Sequence, residues 1–239
     1  MSAPDSPARH YSGNELALFE FAATWKAYWT RRIRRHIRGT VIEVGAGLGA
    51  NTPWLCDASA PWWCMEPDPD LRAVLEERLQ RGDLPPQCRV LGGTLADHAL
   101  TARTILYLDV LEHIADDAAE LALAASRLQP GGRLIVLAPA HQWLFSPFDA
   151  AIGHHRRYTR ATLARLAPAT LRLIASGYLD SAGLLASLGN RWLLRSGQPT
   201  SGQIRFWDRA LIPVSRLLDP LLGHRLGKSL YMVWERPVD

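Results

Sequence analysis

The segment Asp109-Val110-Leu111-Glu112-His113-Ile114 sets two carboxylates and an imidazole at i, i+3 and i+4 spacing. Side chains so spaced lie on one side of a helical turn. Carboxylate and imidazole groups held that close can move protons or hold a divalent cation. Further along comes a second polar group, Gly153-His154-His155-Arg156-Arg157-Tyr158. Neutral imidazole titrates near working pH, so His154 is the expected general base, with His113 as a second catalytic candidate. Arg157 and its neighbour Arg156 have the forked guanidinium that can clamp an acceptor carboxylate or phosphate; the plain alternative is pairing with nearby carboxylates. His141 lies just upstream. The aromatic residues Trp143, Phe145, Phe148 and Tyr158 flank the loop and could wall an apolar pocket or pack in the core.

A third group is VIEVGAGLGANT, residues 41–52, in which an apolar run enters Gly45-x-Gly47-x-Gly49. Glycines there let the backbone turn sharply and approach a ligand, and a helix N-terminus beyond them would present free N–H groups. Alone, the loop is equally a tight strand-to-helix turn. Glu66 ends the next apolar run, 17 residues after Gly49. In an open α/β sheet an acid at that place accepts hydrogen bonds from both ribose hydroxyls. Asp109 ends a later run, and all of these loops gather at the carboxyl ends of the strands, where such sheets bind ligands.

The elements that must position them alternate. A helix is expected over 14–38, with Phe21, Trp25, Trp29, Ile33 and Ile37 as one apolar stripe, ended by Gly39. Strands are expected at 40–44, 62–66, 88–91, 104–108 and 133–137, the last after the turn Pro130-Gly131-Gly132, with final strands at 171–178 and 229–235. Helices are expected after the glycine loop, around Leu71–Leu79, and over 116–128. This alternation predicts an α/β fold: a doubly wound, mostly parallel, seven-stranded Rossmann-like sheet with an N-terminal helix. The stretch 181–228 is too long for a simple connection and reads as an insertion of two amphipathic helical segments before the last strand. The whole of 1–239 is expected to be one domain, with 1–38 its N-terminal helix, 39–180 the cofactor-binding core and 229–239 the last strand.

Composition excludes other classes. The chain has 239 residues, 48% hydrophobic and 21% charged, which is ordinary globular usage rather than disorder. Cys56, Cys64 and Cys88 lack metal-ligand spacing and fit a reduced compartment. No apolar run approaches the ~20 residues that span a bilayer, and the first ten residues lack an apolar leader core, so a cytoplasmic location is expected. The net charge of +4 comes mostly from arginine, since Lys26 and Lys228 are the only lysines. Arginines cluster at residues 31–38, 156–160 and 191–216. That charge suits an anionic small molecule or an anionic lipid surface; no nucleic-acid-binding motif accompanies it, and nucleic acid is not expected.

Taken in order, EVGAGLG (43–49), the acid Glu66, DVLEHI (109–114) and LQPGGRLIV (128–136) resemble the class I S-adenosylmethionine-dependent methyltransferases over about residues 37–180. Residues 140–159, with GHHRRY, look like a bacterial subgroup often associated with glycan, lipid or secondary-metabolite pathways. The resemblance implies S-adenosylmethionine as methyl donor and S-adenosylhomocysteine as product. It implies that Glu43 supports the loop and orients the methionine amino group, while Gly45, Ala46, Gly47 and Gly49 line the methionine moiety. Glu66 would hold the ribose, with Pro67 or Asp68 beside the adenine. Thr94 and Leu95, after Gly93, fall where such enzymes contact adenine, without the acid often found there; Asp97 comes slightly late. Asp109 and Val110 would flank the sulfonium. His113 would then pack against the cofactor. The alternative is a divalent-cation site of Asp109, Glu112, His113 and His154, whose mixed ligands suit Mn²⁺ or Zn²⁺ better than Mg²⁺.

The expected activity is methyl transfer to a small-molecule, sugar or lipid-linked acceptor, with O-methylation first, and the insertion as a cap over the acceptor. The competing enzyme is an NAD-dependent dehydrogenase, whose G-x-G-x-x-G fingerprint places the third glycine one residue later than here. A non-catalytic membrane-docking protein on the same fold is the third reading.

Overall fold

The computed structural model describes residues 20–57, 59–193 and 200–238, the side chains of 190–193 excepted. Seven strands, β1 (Val41–Val44), β2 (Trp62–Glu66), β3 (Cys88–Gly92), β4 (Ala102–Leu108), β5 (Leu128–Pro139), β6 (Arg172–Leu179) and β7 (Ser229–Glu235), form one sheet in the order β3-β2-β1-β4-β5-β7-β6. The first five run parallel, and β7 enters antiparallel between β5 and β6. Strand β1 sits between β2 and β4, so the carboxyl ends of β1, β2 and β4 lie side by side. This is the point where the strand order reverses and a crevice opens.

The described α-helices are α1 (Ala23–Ile33), α2 (Thr52–Leu55), α3 (Pro69–Gln80), α4 (Asp117–Arg127), α5 (Pro147–Ala151), α6 (Arg160–Leu166), α7 (Ser181–Leu193), α8 (Ser201–Phe206) and α9 (Ile212–Leu221). β1 and the middle of β4 and β5 are buried throughout, as strands covered on both faces must be. One core cluster includes Ile42, Ile105, Leu121, Leu134 and Trp234, and a second includes Trp29, Val41, Trp62, Leu106 and Ile135. Alternate residues of one strand therefore serve opposite faces.

Three local expectations are corrected. Helix α1 is shorter than 14–38: the expected residues 14–19 lie outside the described chain, Arg34–His36 tighten into a 3₁₀ turn, and Ile37 is extended. Phe21 precedes the helix and is exposed, so the buried stripe is Trp25, Trp29 and Ile33. The helix after the glycine loop is a single turn, Thr52–Leu55, because the chain must be at β2 by Trp62. Pro130–Gly132 is not a turn before β5 but part of it: Leu128 already pairs with Ala102, and a register shift absorbs the irregularity. The insertion holds the two helical segments expected of it: α7, and a continuous helix in which α8 passes through a π turn at Trp207–Leu211 into α9.

The insertion packs on α1. Trp25 and Trp207 meet with ring centroids 5.6 Å apart, and Tyr28 donates to Asp219 at 2.7 Å. Asp219 also accepts the backbone N–H groups of Asp180 and Ser181, which fixes the start of α7.

Candidate active site

The glycine loop is shaped by backbone conformation. Gly45, Gly47 and Gly49 have φ of 66°, 56° and 71°, a region that strains any residue with a Cβ. A Cβ at Gly45 would also lie 2.8 Å from both methyls of Val110, and one at Gly49 would lie 2.6 Å from Leu75. Gly45 therefore sets how closely the loop approaches the residue after Asp109. The loop is tied down from outside: Lys26 Nζ donates to the Ala50 carbonyl at 2.9 Å, and Arg78 donates to the Leu48 carbonyl at 3.0 Å. Neither cation was legible as part of the site, because each reaches the loop only through tertiary packing.

Two buried carboxylates frame the loop. Glu43, near the end of β1, accepts from Thr52 Oγ1 and from Trp62 Nε1, both at 2.8 Å. Burial pushes its carboxyl up, and those two donors pull it back. Ala46 is buried beneath the loop, its N–H on the Met65 carbonyl. Glu66 accepts the N–H of Gly47 at 2.8 Å and of Asp68 at 2.9 Å, and its carboxyl too is raised by burial. Pro67 is exposed beside it, whereas Asp68 caps α3 by accepting from Asp70 and Leu71. Thr94 makes a capping box with Asp97, which turns back to the Thr94 N–H at 2.7 Å; Leu95 is buried below.

Asp109 has φ of 56°, which is uncommon for a non-glycine residue. Its side chain is solvent-accessible, yet protein surrounds it closely enough to push its carboxyl up to about 6, against the pull of His154, Arg157 and Lys228. Asp109 directly follows β4, at the carboxyl-end crevice beside β1. The N–H groups of Gly47 and Gly49 are spent on Glu66 and on the Ala46 carbonyl, so the polar groups at this crevice are the carboxylates of Glu66 after the loop and Asp109 after β4.

On the far side of Asp109 the DVLEHI segment and the GHHRRY loop meet. Glu112 is wholly buried, and neither of its carboxylate oxygens has a hydrogen-bond partner. Burial, followed by the charge of Asp109, raises its carboxyl well above the usual range. The rings of His113 and His154 stand edge to face at 4.6 Å, and His154 Nε2 is 3.7 Å from Glu112 Oε1. Ligand atoms of Glu112, His113 and His154 all lie within 4.8 Å of one another.

His154 is oriented by a residue that sequence reasoning missed. Asp149, buried in α5, lies 2.9 Å from His154 Nδ1 and binds Arg157 through Nε at 2.8 Å and Nη2 at 3.0 Å. Burial opposes the charge on Asp149, but His154 and Arg157 hold its carboxyl below the usual range. The capping box Ser146-x-x-Asp149 was a readable signal; the reach of its acid to His154 was not. Arg157 thus spends two donors on Asp149, and Arg156 pairs with Asp117 at 2.6 Å and with the Ala115 carbonyl. Tyr158 is core, bonded to Asp117 and Leu111, and His141 stacks between Trp143 and Tyr178.

Comparison with known proteins agrees with this geometry. The family model described as a methyltransferase domain matches residues 20–170. The chain is similar to the S-adenosylmethionine-dependent methyltransferase of Clostridium acetobutylicum ATCC 824, at 9% identity over 94% of this chain and 98% of that one, with a TM-score of 0.59. It is similar to the glycopeptide N-methyltransferase MtfA, at 13% identity over 89% and 90% of the two chains, TM-score 0.57. It is also similar to the mitomycin 7-O-methyltransferase MmcR, at 16% identity over 92% of this chain and 54% of that one, TM-score 0.55. No curated protein matches the sequence. At such identities the structures share the fold alone, and their acceptors differ. The family match spans more than half of the sequence and rests on the sheet that carries the glycine loop, Glu66 and Asp109, so the chain belongs to the methyltransferase domain family, whose methyl donor is S-adenosylmethionine.

Proposed function

We propose that the protein transfers a methyl group to a hydroxyl of a small-molecule, sugar or lipid-linked acceptor, in secondary-metabolite or glycan and lipid biosynthesis. The carrying observation is the pair formed by Asp149 and His154 at 2.9 Å. A carboxylate that accepts a hydrogen bond from Nδ1–H leaves the Nε2 lone pair on the side of Glu112, next to the acid that follows β4. A carboxylate is a nucleophile without help at neutral pH, whereas a hydroxyl must give up a proton to become one. An imidazole held in one tautomer beside the cleft therefore favours a hydroxyl acceptor.

S-adenosylmethionine supplies an electrophilic methyl group whose leaving thioether is neutral, so the protein's work is mainly placement. In this reading Gly45, Ala46, Gly47 and Gly49, backed by Glu43, receive the methionine end. Glu66 holds the ribose, with Pro67, Asp68, Thr94 and Leu95 towards the adenine, and Asp109 and Val110 face the sulfonium. His154, beside His113, activates the acceptor. Arg157 acts through Asp149 as a positioning residue, and the base of the insertion 181–228 covers the acceptor side of the single domain. Lys228 supports that placement: it sits over the Trp207 ring and feels the charges of Asp180, Arg157, Asp149 and Asp109.

Calorimetry with S-adenosylhomocysteine and NAD⁺ in parallel tests the donor, and binding of NAD⁺ alone would sink it. His154→Ala tests the acceptor side. Loss of 10²–10⁴ in kcat with unchanged S-adenosylhomocysteine affinity is expected for a group that activates the nucleophile.

A specific observation favours a lipid-linked acceptor at a membrane surface. Along the continuous helix through α8 and α9, Phe206, Val214, Leu217 and Leu221 are exposed. The acids of this stretch, Asp208 and Asp219, point inward and are buried, while Arg205, Arg209 and Arg216 are exposed. An apolar stripe flanked by cations alone suits an anionic lipid surface. Sedimentation with phosphatidylglycerol vesicles should exceed that with phosphatidylcholine vesicles and fall in Leu217→Glu; equal sedimentation with both would refute this. No helix among the described residues is long and apolar enough to cross a membrane.

A further inference from the structure

We infer that Glu112, His113 and His154 form a site for one divalent transition-metal cation, of Mn²⁺ or Zn²⁺ type, which receives the acceptor hydroxyl. The inference deepens the hydroxyl-methylation reading and assigns His154 the role of ligand.

Glu112 carries the argument. A buried carboxylate is ordinarily satisfied by hydrogen bonds or a counter-charge. Here the residue is 0% exposed and both oxygens lack a hydrogen-bond partner, while Arg157 in the same neighbourhood is committed to Asp149. A wholly buried carboxylate with no hydrogen bond and with two imidazoles beside it is what a cation bound between them would explain.

The arrangement around it is that of a metal centre. Ligand atoms around one cation sit about 2.0–2.2 Å from it, and a common cation therefore needs them within roughly 4.4 Å of one another. The three ligand atoms here fall within 4.8 Å, and the pair formed by His154 Nε2 and Glu112 Oε1 is at 3.7 Å. Small side-chain adjustments close the site. His154 turns its other nitrogen to a carboxylate, Asp149, which is itself held by Arg157 and by Ser146 through its N–H and hydroxyl. Metal-bound histidines commonly have such a second partner, because it fixes the ring and the tautomer. Gly153 stands beside the site with φ of 83°, a conformation that favours glycine.

Two imidazoles and one carboxylate leave coordination positions open and select against Mg²⁺, which prefers oxygen ligands. The open side is towards Asp109 and the cleft. A hydroxyl bound there loses its proton to solvent, since the cation stabilises the oxyanion. That oxygen forms the new O–CH₃ bond, and the electron pair of the broken C–S bond stays on sulfur.

The test is titration of the chelator-treated full-length protein with MnCl₂ and with ZnCl₂, by calorimetry, in the absence of any acceptor. One site per chain is expected for at least one of the two cations. Affinity should fall more than tenfold in Glu112→Gln and in His154→Ala. Should Glu112→Gln not fold, His154→Ala and His113→Ala decide the matter. No binding by the wild-type protein, or binding that the ligand variants leave unchanged, overturns the proposal. S-adenosylhomocysteine titrated into the same samples separates the two readings. Retained nucleoside binding without cation binding removes the metal and leaves the methyltransferase assignment intact. Cation binding without nucleoside binding does the reverse.

Discussion

The carboxylate of Glu66 accepts the Gly47 N–H at 2.8 Å, so the end of β2 and the centre of the glycine loop are one hydrogen-bonded unit. The acid proposed to hold the ribose also holds the loop proposed to receive the methionine. Binding and loop shape are therefore coupled through one side chain.

Glu66→Ala should weaken S-adenosylhomocysteine binding by about 1.5–3 kcal/mol, the span for hydrogen bonds to a charged group. It should also lower the unfolding midpoint, since the Gly47 and Asp68 N–H groups lose their acceptor. Calorimetry and thermal denaturation on one preparation check both. Unchanged affinity in a folded variant would remove Glu66 from the cofactor site.

What the sequence disclosed was whatever is local. Apolar runs that enter glycine or acidic residues mark β1, β2 and β4 and the loops at their ends, because strand, turn and helix cap are each decided within a few residues. That is why Glu66, Asp109 and the glycines could be named in advance. What stayed hidden depends on distant parts of the chain meeting. Nothing local to Lys26 marks it as a loop anchor, yet it is buried on the Ala50 carbonyl. Asp149 carries only the local signal of a helix cap, yet it is the partner of both His154 and Arg157. Phe21 failed for a related reason: its i+4 spacing to Trp25 is real, but α1 begins after it.

Gly45→Ala tests the close approach at the loop. A left-handed conformation costs an L-residue roughly 1–2 kcal/mol, and the added methyl would sit 2.8 Å from both Val110 methyls. The variant should fold with a lower midpoint and lose most of its S-adenosylhomocysteine affinity. The double variant Gly45→Ala with Val110→Ala should recover part of the affinity, because the overlap disappears while the backbone strain remains. No recovery would mean that Val110 is not what the loop presses against.

Lys26 gives the chain a pH dependence with a definite sign. Burial lowers its pKa from an ordinary 10.5 to about 8. Between those values the unfolded chain binds more protons at this site than the native one, so stability rises with pH across that window. Below about pH 8 native Lys26 is charged and carries its full burial penalty. Lys26→Met lacks this term, while other groups titrate alike in both proteins. The stability of Lys26→Met relative to wild type should therefore fall as the pH goes from 8 to 10, measured by urea denaturation. A difference that stays flat would show that Lys26 is not the titrating group.

The last prediction concerns a helix cap supplied from far along the chain. The first turn of α1 has no side-chain cap of its own. Asp208, in the insertion, accepts the N–H of Trp25 at 2.7 Å and of Thr24 at 3.2 Å. An acid there satisfies orphan donors and meets the positive end of the helix dipole. Helix α1 in turn carries Lys26, which holds the glycine loop. Loss of a cap costs about 0.5–2 kcal/mol, and the buried Trp25 N–H, left unpaired, moves the expectation for Asp208→Ala to the upper part of that range. Removing residues 185–225 outright should be more damaging than loss of an acceptor cap alone, because Asp208, Trp207 and Asp219 would leave α1 together. Asp208→Ala should lower both the unfolding midpoint and S-adenosylhomocysteine affinity, whereas Leu217→Glu on the outer face of the same helix should change neither. If Asp208→Ala alters stability and leaves affinity untouched, α1 is a brace for the sheet and not a support for the cofactor loop.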